Sequence, residues 1–494
     1  MSPTAIVILL ISYFGLLLCL SYFTSKGANN QSFFIGNRQS PWYLVAFGMI
    51  GTSLSGVTFI SVPAWVESAQ FSYMQMVLGY LLGYAVIAFV LLPLYYRLEL
   101  TSIYKYLEQR FGFWSYKTGA FYFILSRSLG AAFRLYLVAT VLQLAIFDAW
   151  GVPFWFSVAI TILLIWVYTF KGGIKTIVWT DSLQTLFMLA AVGITIWQIG
   201  LKLDVEIGEI AELVRDSDYS KTFFFEDWKD SKFFWKQFIS GAFITIVMTG
   251  LDQDMMQKNL SIRSLKEAKW NIFSFSTVLV LVNLFFLSLG ALLFIYAEHI
   301  GLSIPEQSDE IYPLLALKGY LGPLAALFFI LGLTAAAYSS ADSALTALTT
   351  SVCIDLIGID RLEEAKAIRL RKRVHVLMSF ILFIIILIFA MVNDENVISS
   401  LFKAAGYTYG PLLGMYAFGM IHRRPLLDKA VPLVCLLAPI LTYFLNLKAP
   451  VWFNGFEFGY EIIVINGLLT YLGLAILSTR LIMGESDKLP LKPH

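Results

Sequence analysis

Runs of about 20 apolar residues recur from one end of the chain to the other, separated by short polar stretches. About 13 of them have membrane-spanning length, at roughly 4–24, 42–64, 72–95, 117–147, 154–170, 180–201, 234–256, 272–297, 323–351, 374–392, 397–420, 431–447 and 461–482. The alternating ten-residue segments of an outer-membrane barrel are not the pattern here. An all-α polytopic membrane protein is expected. The first run has no basic stretch ahead of it and no A-x-A site after it, so it predicts a retained helix and not a signal peptide.

Three runs depart from plain apolar helices. In 331–351, LGLTAAAYSSADSALTALTTS, the residues Ser339, Asp342, Ser343, Thr346 and Thr350 share one narrow helical face. A mid-span carboxylate costs roughly 2.5–3.5 kcal/mol on insertion scales. The face therefore predicts an oxygen-lined site for a small hard cation, against the plainer reading of small residues packing closely. In 42–64, Gly48, Gly51, Gly56 and Pro63 punctuate the hydroxyls Thr52, Ser53, Ser55 and Thr58. In 234–256, Gly241 and Gly250 precede Asp252, Gln253 and Asp254. Breaks at matching places in two halves predict inverted repeats with a polar site between them, because unwinding frees carbonyls for a cation and N–H groups for a solute.

This divides the single domain 1–494 into a first helix (1–30), five-helix repeats at 42–201 and 234–420, two peripheral helices (431–482) and a tail (483–494). The formal charge of +2 says little, but its distribution orients the chain. Lys26 and Arg38, Arg97 to Lys117, Lys171 and Lys175, Lys258 to Lys269, Arg361 to Arg373 and Arg423 to Lys429 fall on one side. The positive-inside rule predicts an outside N-terminus and a cytoplasmic C-terminus, in a plasma membrane of the bacterial inner type. The acidic, aromatic stretch 203–232 is then the longest outer loop, long enough to cap a vestibule. Three cysteines, all in or beside apolar runs, suggest neither a disulfide framework nor a metal site.

Several stretches resemble the sodium/solute symporter family, which contains the sodium–glucose, proline, pantothenate and sialic acid transporters. FFIGNRQSPWYLVAFGMIGTSLSGVTFISVP (33–63) is similar to its first core helix, and KGGIKTIVWTDSLQ (171–184) to its GG-x-x-x-V-x-W-T-D-x-x-Q signature. GLDQDMMQKNL resembles the broken sixth core helix, TAAAYSSADSAL the eighth and YGPLLGMYAFGMI the tenth. The resemblance implies a LeuT-like 5+5 core with one helix before it and two after. It also implies a secondary active transporter that couples inward Na⁺ movement to uptake of a sugar, amino acid or carboxylate by alternating access. No cofactor is implied, only Na⁺ as coupling ion. The expected partners are the solute, Na⁺ and the lipid bilayer, with no nucleic acid, and the chain is expected to act as a monomer.

Carried over by motif, the resemblance implies that Na⁺ meets the carbonyls of Gly51, Leu54 and Ala336 and the hydroxyls of Ser339 and Ser340. A second cation would meet Asp181, Asp342 and Ser343, unless Asp181 merely caps a helix after the Gly-Gly loop. Asp342 departs from the family's hydroxyls; a second cation, a proton or Lys403 are its alternative partners. The solute would face Ser53, Ser55, Thr58, Tyr73, Gln75, Asp252 and Gln253, with Arg127 and Arg134 as counter-charges for a carboxylate. Counting from the TSxYxYLE motif at Thr101 puts Gly130, not an arginine, where acidic-sugar carriers of the family have one. That favours another carboxylate or a neutral sugar over sialic acid. Two further readings are a transporter-like membrane sensor and an H⁺-coupled symporter using Asp342. An enzyme is not expected, since the four histidines lack ligand spacing and no nucleophile–base pair stands out.

Overall fold

The computed structural model describes residues 3–24, 36–359, 362–392 and 397–478, apart from the side chains of 167–173 and 175. Lys26, Arg361, the side chains of Lys171 and Lys175, the start of the 33–63 motif and the tail 483–494 lie outside them. Within them the chain is helical, with one isolated bridge between Ser40 and Ile262. Nine helices are long and apolar enough to cross a membrane, or ten if one bent pair counts as a span; three shorter apolar helices accompany them.

The helices are α1 (Pro3–Thr24), α2 (Trp42–Ala69), α3 (Tyr73–Arg97), the short α4 (Lys105–Arg110), α5 (Phe113–Trp150) and α6 (Phe154–Lys202). Next come the short α7 (Ile210–Arg215), the bent pair α8 (Phe234–Gly250) and α9 (Gln253–Leu260), then α10 (Leu265–His299) and α11 (Ile311–Leu317). The last are α12 (Gly322–Ile357), α13 (Glu364–Val392), α14 (Val397–Thr408), α15 (Gly410–Ile421), α16 (Val431–Trp452) and α17 (Ile462–Leu477). The runs 154–170 and 180–201, expected as two helices, form one continuous helical element.

Both expected breaks are present. Ser55 has φ +39° inside α2, a backbone that an L-residue adopts only under constraint. α8 and α9 meet at a 64° bend, where Asp252 caps α9 by accepting from the N–H of Asp254 at 2.9 Å. A third break, which the apolar pattern conceals, falls at Tyr409 between α14 and α15, just before Gly410 and Pro411.

The most buried of these helices surround the polar centre. α2 and α12 are far more enclosed than α16, which keeps broad apolar surface outward as a lipid-facing helix does. α3 and α8 cross very closely. A side chain at Gly79 would strike the Phe238 carbonyl oxygen at 2.0 Å, and one at Gly241 the Met76 carbonyl oxygen at 2.0 Å.

Candidate functional site

The break in α2 faces the hydroxyl-rich middle of α12. Ser340 Oγ bonds back to the Ala336 carbonyl at 3.2 Å and reaches the Thr52 carbonyl, just before the break, at 3.4 Å. Ser339 Oγ donates to Asp181 Oδ1 at 2.8 Å and lies 3.3 Å from Thr52 Oγ1. Gly51 closes this corner by bringing its N–H within 3.1 Å of Thr185 Oγ1; a Cβ there would lie 2.3 Å from that oxygen. Ala336, Ser339 and Ser340 of α12 thus meet Thr52 of α2 in one buried corner, with Gly51 and Leu54 as near neighbours along α2. Neutral oxygens of this kind suit a weakly held monovalent ion.

Asp181 lies inside α6 and caps nothing. Its Oδ2 accepts from Thr52 Oγ1 at 3.0 Å and from Lys258 Nζ at 2.5 Å. Lys258, read from sequence as an inner-surface charge, is 1% exposed and also bonds Thr52 Oγ1. An ammonium therefore already sits where Asp181 was expected to share a mobile cation. The signal lay in the sequence, since Lys258 falls within the GLDQDMMQKNL motif, but loop-by-loop charge counting placed it on the surface. Asp342 and Ser343 are fully buried further along α12, whereas Lys403 is exposed on α14.

Beside this corner lies a cavity of about 80 Å³. Its walls include Ser53, Ser55 and Thr58 from α2, Tyr73 from α3, and both Arg127 and Arg134 from α5. Tyr80, Tyr84, Thr249 and Asn283 line it as well, none of them singled out by sequence. Tyr73 stacks on Phe402 with ring centres 6.4 Å apart, and Trp65 and Tyr460 pack against that pair at 5.7 and 5.1 Å.

The two arginines differ. Arg127 forms a buried ion pair with Asp254. Arg134 is equally enclosed, at 7% exposure, yet makes no ion pair with any described residue, and its Nε has no hydrogen-bond partner. A buried guanidinium left this way needs an anion from elsewhere.

Three expected solute ligands lie away from the cavity. Gln75 is fully buried against the 203–232 loop and the start of α8, where it donates to the Lys232 carbonyl at 2.9 Å and accepts from the Phe224 N–H at 3.1 Å. Gln253 braces the segment before α4, accepting from the Ile103 N–H and donating to the Thr101 carbonyl, each at 2.9 Å. Asp252 is occupied by the Tyr409 hydroxyl at 2.6 Å, below the cavity. Each amide or acid found a backbone or hydroxyl partner, which the spacing of polar residues alone does not reveal.

Comparison with known proteins bears on this geometry. Residues 33–425 match the model of the Sodium:solute symporter family. The chain is 27% identical to the sodium/sialic acid symporter SiaT of Proteus mirabilis over 84% of each protein. It is 25% identical to the human sodium/iodide cotransporter over 79% of this chain and 61% of that protein. A solved structure of a Na⁺-coupled sialic acid symporter in a substrate-bound outward-open state superposes with a TM-score of 0.81 at 22% identity, covering 96% of this chain and 97% of that one.

Proposed function

The chain belongs to the sodium:solute symporter family and is a Na⁺-coupled symporter, not an enzyme, and from that premise we propose that its solute is a small organic anion. Arg134 carries the solute's charge, and Ser53, Ser55, Thr58 and Tyr73 line its cavity. Na⁺ is held by the carbonyls of Gly51, Leu54 and Ala336 and the hydroxyls of Ser339 and Ser340. The observation that carries the reading is Arg134: a buried guanidinium on a cavity wall, with no ion-pair partner among the described residues, next to a broken helix. Sialic acid and iodide, named for two of the relatives, are both anions, which supports the same class. Sodium bound across α2 and α12 holds these helices together and so preorganises the solute cavity; its loss on the other side loosens both.

The finer architecture follows the same reading. With the bent pair counted as one span, α6 as two (Phe154–Trp166 and Thr176–Lys202) and α15 and α17 as one each, 13 spans form one helix, two inverted five-helix repeats (42–201 and 234–420) and two peripheral helices (431–482). The N-terminus lies outside and the C-terminus inside a bacterial-type inner membrane, and one chain in its lipid bilayer is the transporting unit.

Uptake by proteoliposomes tests the site. Arg134→Met should abolish Na⁺-dependent accumulation of carboxylates, while Ser340→Ala should raise the Na⁺ concentration for half-maximal uptake about tenfold, as loss of roughly 1.4 kcal/mol of binding would. Unaltered sodium dependence in the serine variant would refute the ion site, and wild-type carboxylate affinity in the arginine variant would refute the anion reading.

A further inference from the structure

Arg127 stands two turns from Arg134 on the same helix, about 10 Å of rise toward the Phe113 end. It lines the central cavity and also a smaller one beyond it, of about 10 Å³, walled by Gly130, Leu401 and Tyr409 among others. It is the only charged residue common to both. Its bond to Asp254 engages one guanidinium nitrogen and one carboxylate oxygen. The Nε of Arg127 and the Oδ1 of Asp254 are buried without hydrogen-bond partners, so the pair leaves unused the two-point contact that arginine and carboxylate can make.

The pair belongs to a wider set. Asp252 accepts from the Asp254 N–H at 2.9 Å and from the Tyr409 hydroxyl at 2.6 Å. Asp252 and Asp254 sit at the 64° bend between α8 and α9, and Tyr409 at the break between α14 and α15. One buried hydrogen-bonded set therefore ties α5 to both bends. Two members of the set, Arg127 and Tyr409, wall the small cavity, so a passage running on between them would part it.

We propose that Arg127 is a second, transient anion site, and that the solute's carboxylate opens this passage by replacing Asp254 on Arg127. The proposal rests on the anionic reading of the central cavity. Breaking a buried ion pair without a substitute strands two charges and is expensive, whereas exchanging one carboxylate for another at Arg127 keeps that cation satisfied. The floor thus stays shut until an anion arrives from Arg134. Two arginines and two aspartates leave the set neutral. An incoming monoanion makes it negative, and a sodium ion entering beside it restores the balance. An empty carrier with its floor shut does not leak sodium.

Purified carrier in proteoliposomes tests this, with radiolabelled Na⁺ flux in the absence of solute as one readout. Uptake of pyruvate, iodide and N-acetylneuraminate is the other. Arg127→Met/Asp254→Met replaces the pair with apolar side chains and avoids stranding a charge. It should raise solute-free Na⁺ flux at least fivefold and lower uptake of the transported anion at least tenfold. Asp254→Asn removes the competitor for Arg127. It should lower KM and kcat together, each severalfold, because the anion binds more tightly and leaves more slowly. A merely structural pair would leave KM unchanged in that variant. Wild-type Na⁺ flux and uptake in the double variant, or an unchanged KM in Asp254→Asn, would overturn the second site. Arg134→Met separates the two claims. Wild-type KM there refutes the anionic cavity itself, whereas loss of uptake there beside wild-type behaviour of the double variant refutes only the exchange at Arg127.

Discussion

Lys258 places a fixed positive charge next to the proposed sodium corner, bonded to Thr52 and Asp181 and almost wholly buried. Its ion pair with Asp181 lies where desolvation is severe, so the pair contributes little net stability while either partner alone is costly. Lys258→Met should therefore destabilise the protein by about 3–5 kcal/mol, because Asp181 is left as an uncompensated buried carboxylate. Adding Asp181→Asn should recover most of that loss. Thermal melting of both variants in detergent checks the ordering, and a double variant no more stable than Lys258→Met would rule out the pair as the cause. This residue also marks a limit of sequence reading. A lysine inside a polar motif looks like one more cytoplasmic charge, and only its position opposite Asp181 on α6 reveals the pairing. The hydroxyls of α12 were legible because helical spacing alone puts them on one face.

The breaks in α2 and in the α8–α9 pair were legible because glycines and hydroxyls interrupt an apolar run, leaving backbone groups that need partners. The third break, at Tyr409, was not, since YGPLLGMYAFGMI stays apolar throughout and its helix-stopping pair, Gly410 and Pro411, also suits a continuous helix start. Its freed carbonyls are met from a peripheral helix. Asn466 of α17 donates to the carbonyls of Gly406 at 3.0 Å and Tyr407 at 2.9 Å. A Cβ at Gly410 would lie 2.1 Å from the Asn466 side chain, so the bend and the asparagine fit each other closely. Asn466→Ala should therefore loosen the α14–α15 bend, at a cost of about 1–3 kcal/mol for the carbonyls it strands. Hydrogen exchange of the amides in 404–412 checks it: faster exchange confined to that stretch is expected, and an unchanged rate would mean that the break supports itself. α17 thus supports the bend whose Tyr409 holds Asp252.

Across the whole molecule, the 203–232 loop with the start of α8 and the α16–α17 connection form one cap. Lys229 Nζ donates to the Asn454 carbonyl and Lys236 Nζ to the Glu457 carbonyl, each at 2.8 Å, and the Lys236 ammonium lies 3.9 Å from the Phe456 ring centre. Tyr460, in the same connection, packs on Phe402 and Trp65 over the solute cavity. Next to it, Glu461 is partly exposed as a residue, but both carboxylate oxygens are buried. Burial pushes this carboxyl above its ordinary value of 4.5, and the backbone N–H groups of Gly459 and Glu461, with the nearby Lys236 charge, oppose that only in part. A carboxyl raised in the folded state binds its proton more tightly there than when unfolded. Its stabilising effect is complete below the unfolded value and is lost as pH rises from about 4.5 through the raised one. Glu461→Gln stays neutral at every pH and escapes that loss. The two proteins should melt together near pH 4, and the variant should melt about 1–3 °C higher near pH 7.5. Parallel melting profiles across that range would mean that Glu461 is already ionised in the folded cap, satisfied by the neighbouring N–H groups and Lys236. Divergence with the predicted sign would make the cap over the cavity weaker at neutral than at acid pH, and access to the cavity past the cap correspondingly easier.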